Sequence, residues 1–185
     1  ALPGAFPHTT FVTQGNLDPG TFGKLIDWYL GQGIHGLFVN GTTGEWFSQT
    51  PEERKKLAEF VVKRVEGRVP VVVGVTTFTA RDSSELGKHA MAVGASGICS
   101  SAPAYAKTLP DETVFFFEHL GKNVDAPLMV YTWPHGTPIE IDSGLALRLA
   151  DLAHVSAITA RTPPGAQFVD GTRNPLGTGR YSGHC

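Results

Sequence analysis

Short apolar runs alternate with amphipathic stretches along most of this chain, at a spacing of roughly 30 residues, the length of one strand, one crossover helix and two loops. Parallel neighbours need a long crossover connection, so this alternation predicts a largely parallel α/β sheet. The apolar runs fall at residues 35–40 (HGLFVN), 69–75 (VPVVVGV), 97–101, 127–132 and 155–159, after a first short strand near residues 8–12. Residues 69–75 are apolar at successive positions, as in a strand covered on both faces, and Pro70 is confined to the start, where a missing amide donor is tolerated. Helices are predicted between the runs, over residues 21–32, from Thr50, and over about 81–93, 110–122 and 142–152. The second is the most sharply marked. Thr50 can cap it, Pro51 suits its first position, Glu53 completes a capping box, and Leu57, Phe60, Val61 and Val65 recur at helical spacing. Six strands of this kind fit either a doubly wound sheet or part of a (β/α)₈ barrel, and periodicity leaves both open.

Composition narrows the possible partners. Among 185 residues, 15 Lys and Arg stand against 17 Asp and Glu, a net charge of -2 that supports neither a nucleic-acid nor an anionic-membrane surface. The hydrophobic fraction of 41% is enough for one real core. Cys99 and Cys185 make no disulfide framework and no Cys/His cluster has zinc spacing, so a reducing, cytoplasmic setting without metal or other cofactor is expected. The apolar run at residues 69–75 is far shorter than the roughly 20 residues of a membrane span. The start at Ala1 carries no basic segment followed by an apolar one, so no signal peptide is expected. Residues 1–160 read as the folded part and 161–185, rich in Gly, Pro, Thr and Arg, as a weakly structured tail.

Ligands of parallel α/β proteins sit at the C-terminal ends of the strands, so the residues just past each apolar run are the candidates for chemistry. Residues 41–45 (GTTGE) set Thr42 and Thr43 in a glycine-flanked segment, suited equally to a tight turn and to close approach of a ligand. The segment lacks the lysine of a phosphate loop. The run at 127–132 delivers Tyr131 near the mouth, where its hydroxyl is able to act as donor or acid/base, and His135 comes shortly after it. The run at 97–101 leads to Pro103 and Tyr105. The other histidines are scattered, and Glu45 reads as structural.

Taken together, residues 36–45 (GLFVNGTTGE), 50–54 (TPEER), 67–74 (GRVPVVVG), 103–105 (PAY) and 126–131 (APLMVY) with Pro134 resemble the dihydrodipicolinate synthase/N-acetylneuraminate lyase family of pyruvate-dependent class I aldolases. The likeness runs from about residue 5 to about 168 in the family's order and spacing. It implies a (β/α)₈ TIM barrel, a homo-oligomer, and a small 2-keto acid such as pyruvate as partner, held as a Schiff base that serves as electron sink for aldol cleavage, condensation or dehydration. It further implies that Thr43, with neighbouring amides such as that of Gly44, holds the keto-acid carboxylate. Thr42 and Tyr105 match a hydroxyl proton relay, in which the tyrosine reaches across a dimer in many members, and Tyr131 matches the tyrosine that moves protons at the Schiff base.

Three departures shape the expectation. The family's Schiff-base lysine position holds Thr159, in Ile158-Thr159-Ala160, and a threonine cannot form an imine. The arginine that binds the aldehyde substrate's carboxylate in the synthases aligns with Gly136, preceded by His135, which disfavours aspartate semialdehyde and makes His135 a candidate substrate-binding residue. About six βα units precede the tail, whose residues 180–183 resemble the start of strand seven, while such a barrel takes roughly 250 residues. The barrel is therefore expected to be incomplete at its C-terminal side. Two functions remain, a lyase of this family or a catalytically inactive homologue that binds a keto acid or a full-length subunit.

Overall fold

The computed structural model describes residues 8–9, 12–13, 16–134 and 136–160. The expected tail over 161–185, its suggested strand start and the candidate His135 lie outside the described residues. Two compact units are present, one formed by the described residues up to Val75 with Glu85–Ile98, the other by Thr76–Ser84 with the described residues from Cys99 onward.

In the first unit, β1 (His8–Thr9), β4 (Leu37–Val39) and β5 (Val71–Gly74) lie side by side in that order, all parallel. Phe38 and Val39 are the rungs they share, opposite His8 and Thr9 on one side and Val72 and Val73 on the other. Of the expected strand over 8–12, His8 and Thr9 are described in this sheet, while Val12 belongs to β2 (Val12–Thr13), which pairs antiparallel with β3 (Asn16–Leu17). Helix α1 (Pro19–Gly31) starts where the Asp18 carboxylate accepts the amides of Gly20 and Thr21, at 3.0 and 3.2 Å, and ends ahead of Gly33, whose φ of +73° suits a C-terminal glycine. Helix α2 (Pro51–Val65) carries the predicted capping box in full: the Glu53 amide donates to Thr50 Oγ1 at 3.3 Å and the Thr50 amide to Glu53 Oε2 at 2.7 Å. Phe22 and Ile26 of α1, Leu57, Val61 and Val65 of α2, and Val39, Val71 and Val73 of the strands form the buried centre of this unit. The ion pair of Arg64 with Asp27 ties α2 to α1 at the surface.

Helix α3 (Ala80–Ala92) and strand β6 (Gly97–Ser100) each begin in one unit and end in the other. In the second unit the strand order is β6, β7 (Leu128–Thr132) and β8 (Val155–Ala160), with α4 (Pro110–Asn123) and α5 (Ser143–Ala150) as its helices. Asp142 caps α5 by accepting the Leu145 amide at 2.8 Å, so this helix is shorter at both ends than the predicted 142–152. Leu109 has no capping oxygen, and the start of α4 relies on the Glu112 carboxylate accepting the Leu109 amide at 2.7 Å. Phe116, Phe117 and Leu120 of α4, Leu128 and Val130 of β7, and Leu145 and Leu149 of α5 fill the centre. No helix among the described residues is long and apolar enough to cross a membrane.

Candidate active site

Each unit holds part of the predicted residue set. In the first, β4 delivers the chain into the segment from Asn40 to Trp46 that contains Thr42, Thr43 and Gly44. Two residues other than glycine adopt left-handed backbone there, Asn40 at φ 60° and Glu45 at φ 53°. Between them the Glu45 amide donates to the Thr42 carbonyl at 3.0 Å, and Gln49 Nε2 reaches back to the Gly44 carbonyl at 2.8 Å. A 3₁₀ turn, Trp46–Ser48, then leads to α2. Thr42 is half-buried and Thr43 exposed, and neither hydroxyl has a hydrogen-bond partner among the described residues. Glu45 shapes the turn through its backbone, in line with the structural role expected for it: its carbonyl accepts the amide of Ser48 at 2.9 Å and the Ser48 hydroxyl at 2.8 Å.

Three residues absent from the sequence-based set hold this segment. Asn40, 2% exposed, donates from Nδ2 to the Arg54 carbonyl at 3.1 Å. Gly74, at the end of β5, faces the same strand exit so closely that a Cβ there would stand 2.2 Å from the Asn40 carbonyl oxygen. Arg54, 4% exposed, donates from Nη2 to the Gly74 carbonyl at 2.8 Å and lies with its guanidinium carbon 5.2 Å from the Trp46 ring centroid. Burial pushes the Arg54 guanidinium down to about 10, still high enough to keep it charged at neutral pH. The spacing does carry a signal for Arg54: it falls on the stripe of Leu57, Ala58, Val61 and Val65 that α2 buries, an unusual place for an arginine.

The second unit carries Tyr105, Tyr131 and Thr159. A register shift just past Leu128, where β8 contributes one more residue than β7, sets Met129 opposite Ala157 and thereby Tyr131 opposite Thr159. Without it Tyr131 would face Ile158. Both residues are half-buried. Tyr105, in the loop after β6, is 93% exposed with φ 74°, so it is not the half-buried packing residue that a strand-end tyrosine usually is. The chain just beyond it and the segment after β7 line an open groove of about 480 Å³, with Leu109, Pro134 and Ile139 between Lys107 and Glu140. Gly136 sits in a turn where its amide donates to the Trp133 carbonyl at 2.9 Å. Cys99, on β6, is a buried free thiol pushed up to about 12 by burial, which makes it a poor nucleophile at neutral pH. The structure thus brings Thr42, Thr43 and Gly44 into one turn and Tyr131 and Thr159 onto one rung, and leaves Tyr105 in a loop of its own.

Known proteins with this pattern are numerous. The chain is 33% identical to a 4-hydroxy-tetrahydrodipicolinate synthase from Pseudomonas putida over 154 residues, which are 83% of this chain and 53% of that one. It is 38% identical to the putative 2-dehydro-3-deoxy-D-gluconate aldolase YagE of Escherichia coli over 144 residues, 77% of this chain and 47% of the relative. The chain spans about half the length of these curated relatives. The crystal structure of YagE in complex with pyruvate superposes with a TM-score of 0.79 at 34% identity, over 83% of this chain and 52% of that one. Dihydrodipicolinate synthase from Aquifex aeolicus gives 0.79 at 31% identity, over 84% of this chain and 55% of that one. These neighbours are TIM barrels, which decides between the two architectures left open by periodicity. With residues 4–163 matched by the model of the dihydrodipicolinate synthetase family, the chain belongs to that family.

Proposed function

We propose that this chain binds a small 2-keto acid such as pyruvate with residues inherited from a Schiff-base aldolase lineage, and that it forms no Schiff base at the family's own position. The observation that carries this reading is the rung that sets Thr159 opposite Tyr131. It supports Thr159, and no neighbour in sequence, as the occupant of the lysine position. Imine formation joins an amine nitrogen to the ketone carbon with loss of water; a threonine hydroxyl supplies no nitrogen and is a weak nucleophile without an adjacent base.

In this reading Thr43 and the amide of Gly44 receive the carboxylate, where hydrogen bonds to a charged acceptor are strong. Thr42, Tyr105 and Tyr131 are the hydroxyls inherited from the proton relay, and His135 borders the substrate. A chain of neutral hydroxyls moves protons without burying charge. The nearly complete exposure of Tyr105 supports a homo-oligomer in which that side chain is covered by a second copy. A cytoplasmic setting suits the free thiol of Cys99. The lineage chemistry, aldol cleavage, condensation or dehydration of a 2-keto acid, would need a lysine that this rung does not offer.

The test is incubation with pyruvate and borohydride followed by intact mass, beside ligand-observed NMR with pyruvate alone. We expect line broadening of pyruvate and no reduced adduct. A reduced adduct on any lysine would overturn the non-covalent reading in favour of a lyase, and an absence of pyruvate binding would overturn both.

A further inference from the structure

We infer that Arg54 is a positioning residue for the keto-acid turn, holding Thr42 and Thr43 in place from beneath without touching the ligand. This rests on the reading that the Thr43 turn receives the carboxylate.

Arg54 occupies a position on the buried stripe of α2 that an apolar residue of similar volume would fill with less desolvation. What the guanidinium adds is direction. Its Nη2 bonds the Gly74 carbonyl at the end of β5, its guanidinium lies by the Trp46 ring just after the turn, and its main-chain carbonyl takes the Asn40 side-chain amide just before the turn. One residue therefore grips the turn on both sides and fastens it to the neighbouring strand. The turn needs such a grip, because Glu45 holds left-handed backbone that most residues with a Cβ adopt reluctantly, while Asn40 is of a type that tolerates it. A methionine at this position would keep the packing and release Trp46 and the Gly74 carbonyl. The turn would then sample other backbone states, and the Thr43 hydroxyl would be correctly placed for only part of the time.

The test compares the full chain with Arg54→Met by hydrogen exchange, thermal melting and pyruvate titration. We expect a melting temperature close to that of the parent, markedly faster exchange confined to amides 41–46, and pyruvate bound about tenfold more weakly, the loss of one charge-assisted hydrogen bond. Arg54→Lys, which keeps the charge without the planar fork, should recover part of the protection at most. Unchanged exchange at 41–46 in a folded Arg54→Met overturns the inference. If the parent binds no pyruvate, the proposed function fails, yet exchange at 41–46 still decides the role of Arg54, so the two failures are distinguishable. Should Arg54→Met unfold, Trp46→Leu removes the same grip from its other side and is expected to raise exchange at 41–46. Parent-like exchange in that variant, or unfolding of both, would make Arg54 a determinant of the fold and overturn the positioning role.

Discussion

The turn from Asn40 to Trp46 in the first unit and the rung of Tyr131 with Thr159 in the second, both proposed above to serve keto-acid binding, are built in opposite ways. The turn is specified many times over: two left-handed residues, a glycine on the next strand with no room for a methyl group, and a buried arginine bonding around it. The rung is ordinary parallel strand with one register shift, and its chemistry rests on which side chain stands at residue 159. Recognition spread over backbone amides and several side chains cannot be abolished by one side-chain substitution, only weakened. Bond-making vested in one side chain can. On the proposed reading, this difference lets the turn stay intact while residue 159 is a threonine.

The sharpest way to break the comparison is to restore the side chain. Thr159→Lys places an amine opposite Tyr131, and pyruvate with borohydride should then give a reduced adduct on that residue where the parent gives none. A folded variant that binds pyruvate without an adduct would show that the rung lacks more than its nucleophile. Next in size is Gly74→Ala, which puts a methyl group 2.2 Å from the Asn40 carbonyl oxygen, with backbone on both sides of the clash. It should destabilise the chain by about 3 kcal/mol in urea unfolding. An alanine as stable as the parent would mean that the turn is less firmly specified than its geometry indicates. Thr43→Val is milder and separates binding from stability. The hydroxyl has no partner among the described residues, so the melting temperature should hold while pyruvate binding weakens by about 1.5 kcal/mol.

Where the physics is local, the sequence is legible. The capping box of Thr50 and Glu53 and the apolar runs of β5 and β7 appear where the sequence predicts them, because each depends on residues within one turn or one strand. The pairing of β2 with β3 leaves no signal in the sequence, since two-residue strands carry too little pattern to detect. Motif resemblance gives roles to Thr42, Thr43, Tyr131 and the position of Thr159, but none to Arg54, Asn40 and Gly74, although its matched segments contain all three. The roles of these three arise from contacts across 14 and 20 residues of sequence, which no local pattern reports. The register shift past Leu128 is of the same kind: it is fixed by pairing between two strands and is invisible in either alone.

The smallest expected effect concerns the start of α2, and it joins helix capping to the turn. Thr50→Ala removes the acceptor for the Glu53 amide and should cost about 1 kcal/mol in thermal or urea unfolding. The reciprocal half of the box is sensitive to acid. The Thr50 amide, then the Thr50 hydroxyl, donates to the Glu53 carboxylate and holds it below its ordinary pKa. A carboxyl with a lowered pKa in the folded state adds stability that is present above the unfolded value and is lost as the pH falls through the folded one. The deficit of Glu53→Gln relative to the parent should therefore be seen at neutral pH and shrink on acidification below the ordinary glutamate range, measured by melting at stepped pH. Arg54 follows Glu53 directly, so a loosened first turn reaches the guanidinium before it reaches anything in the other unit. Exchange at amides 41–46 should consequently rise in Thr50→Ala while amides of β7 and β8 keep their parent rates, and a rise of equal size on β7 and β8 would erase the contrast between a turn held from beneath and a rung that stands on its own strands.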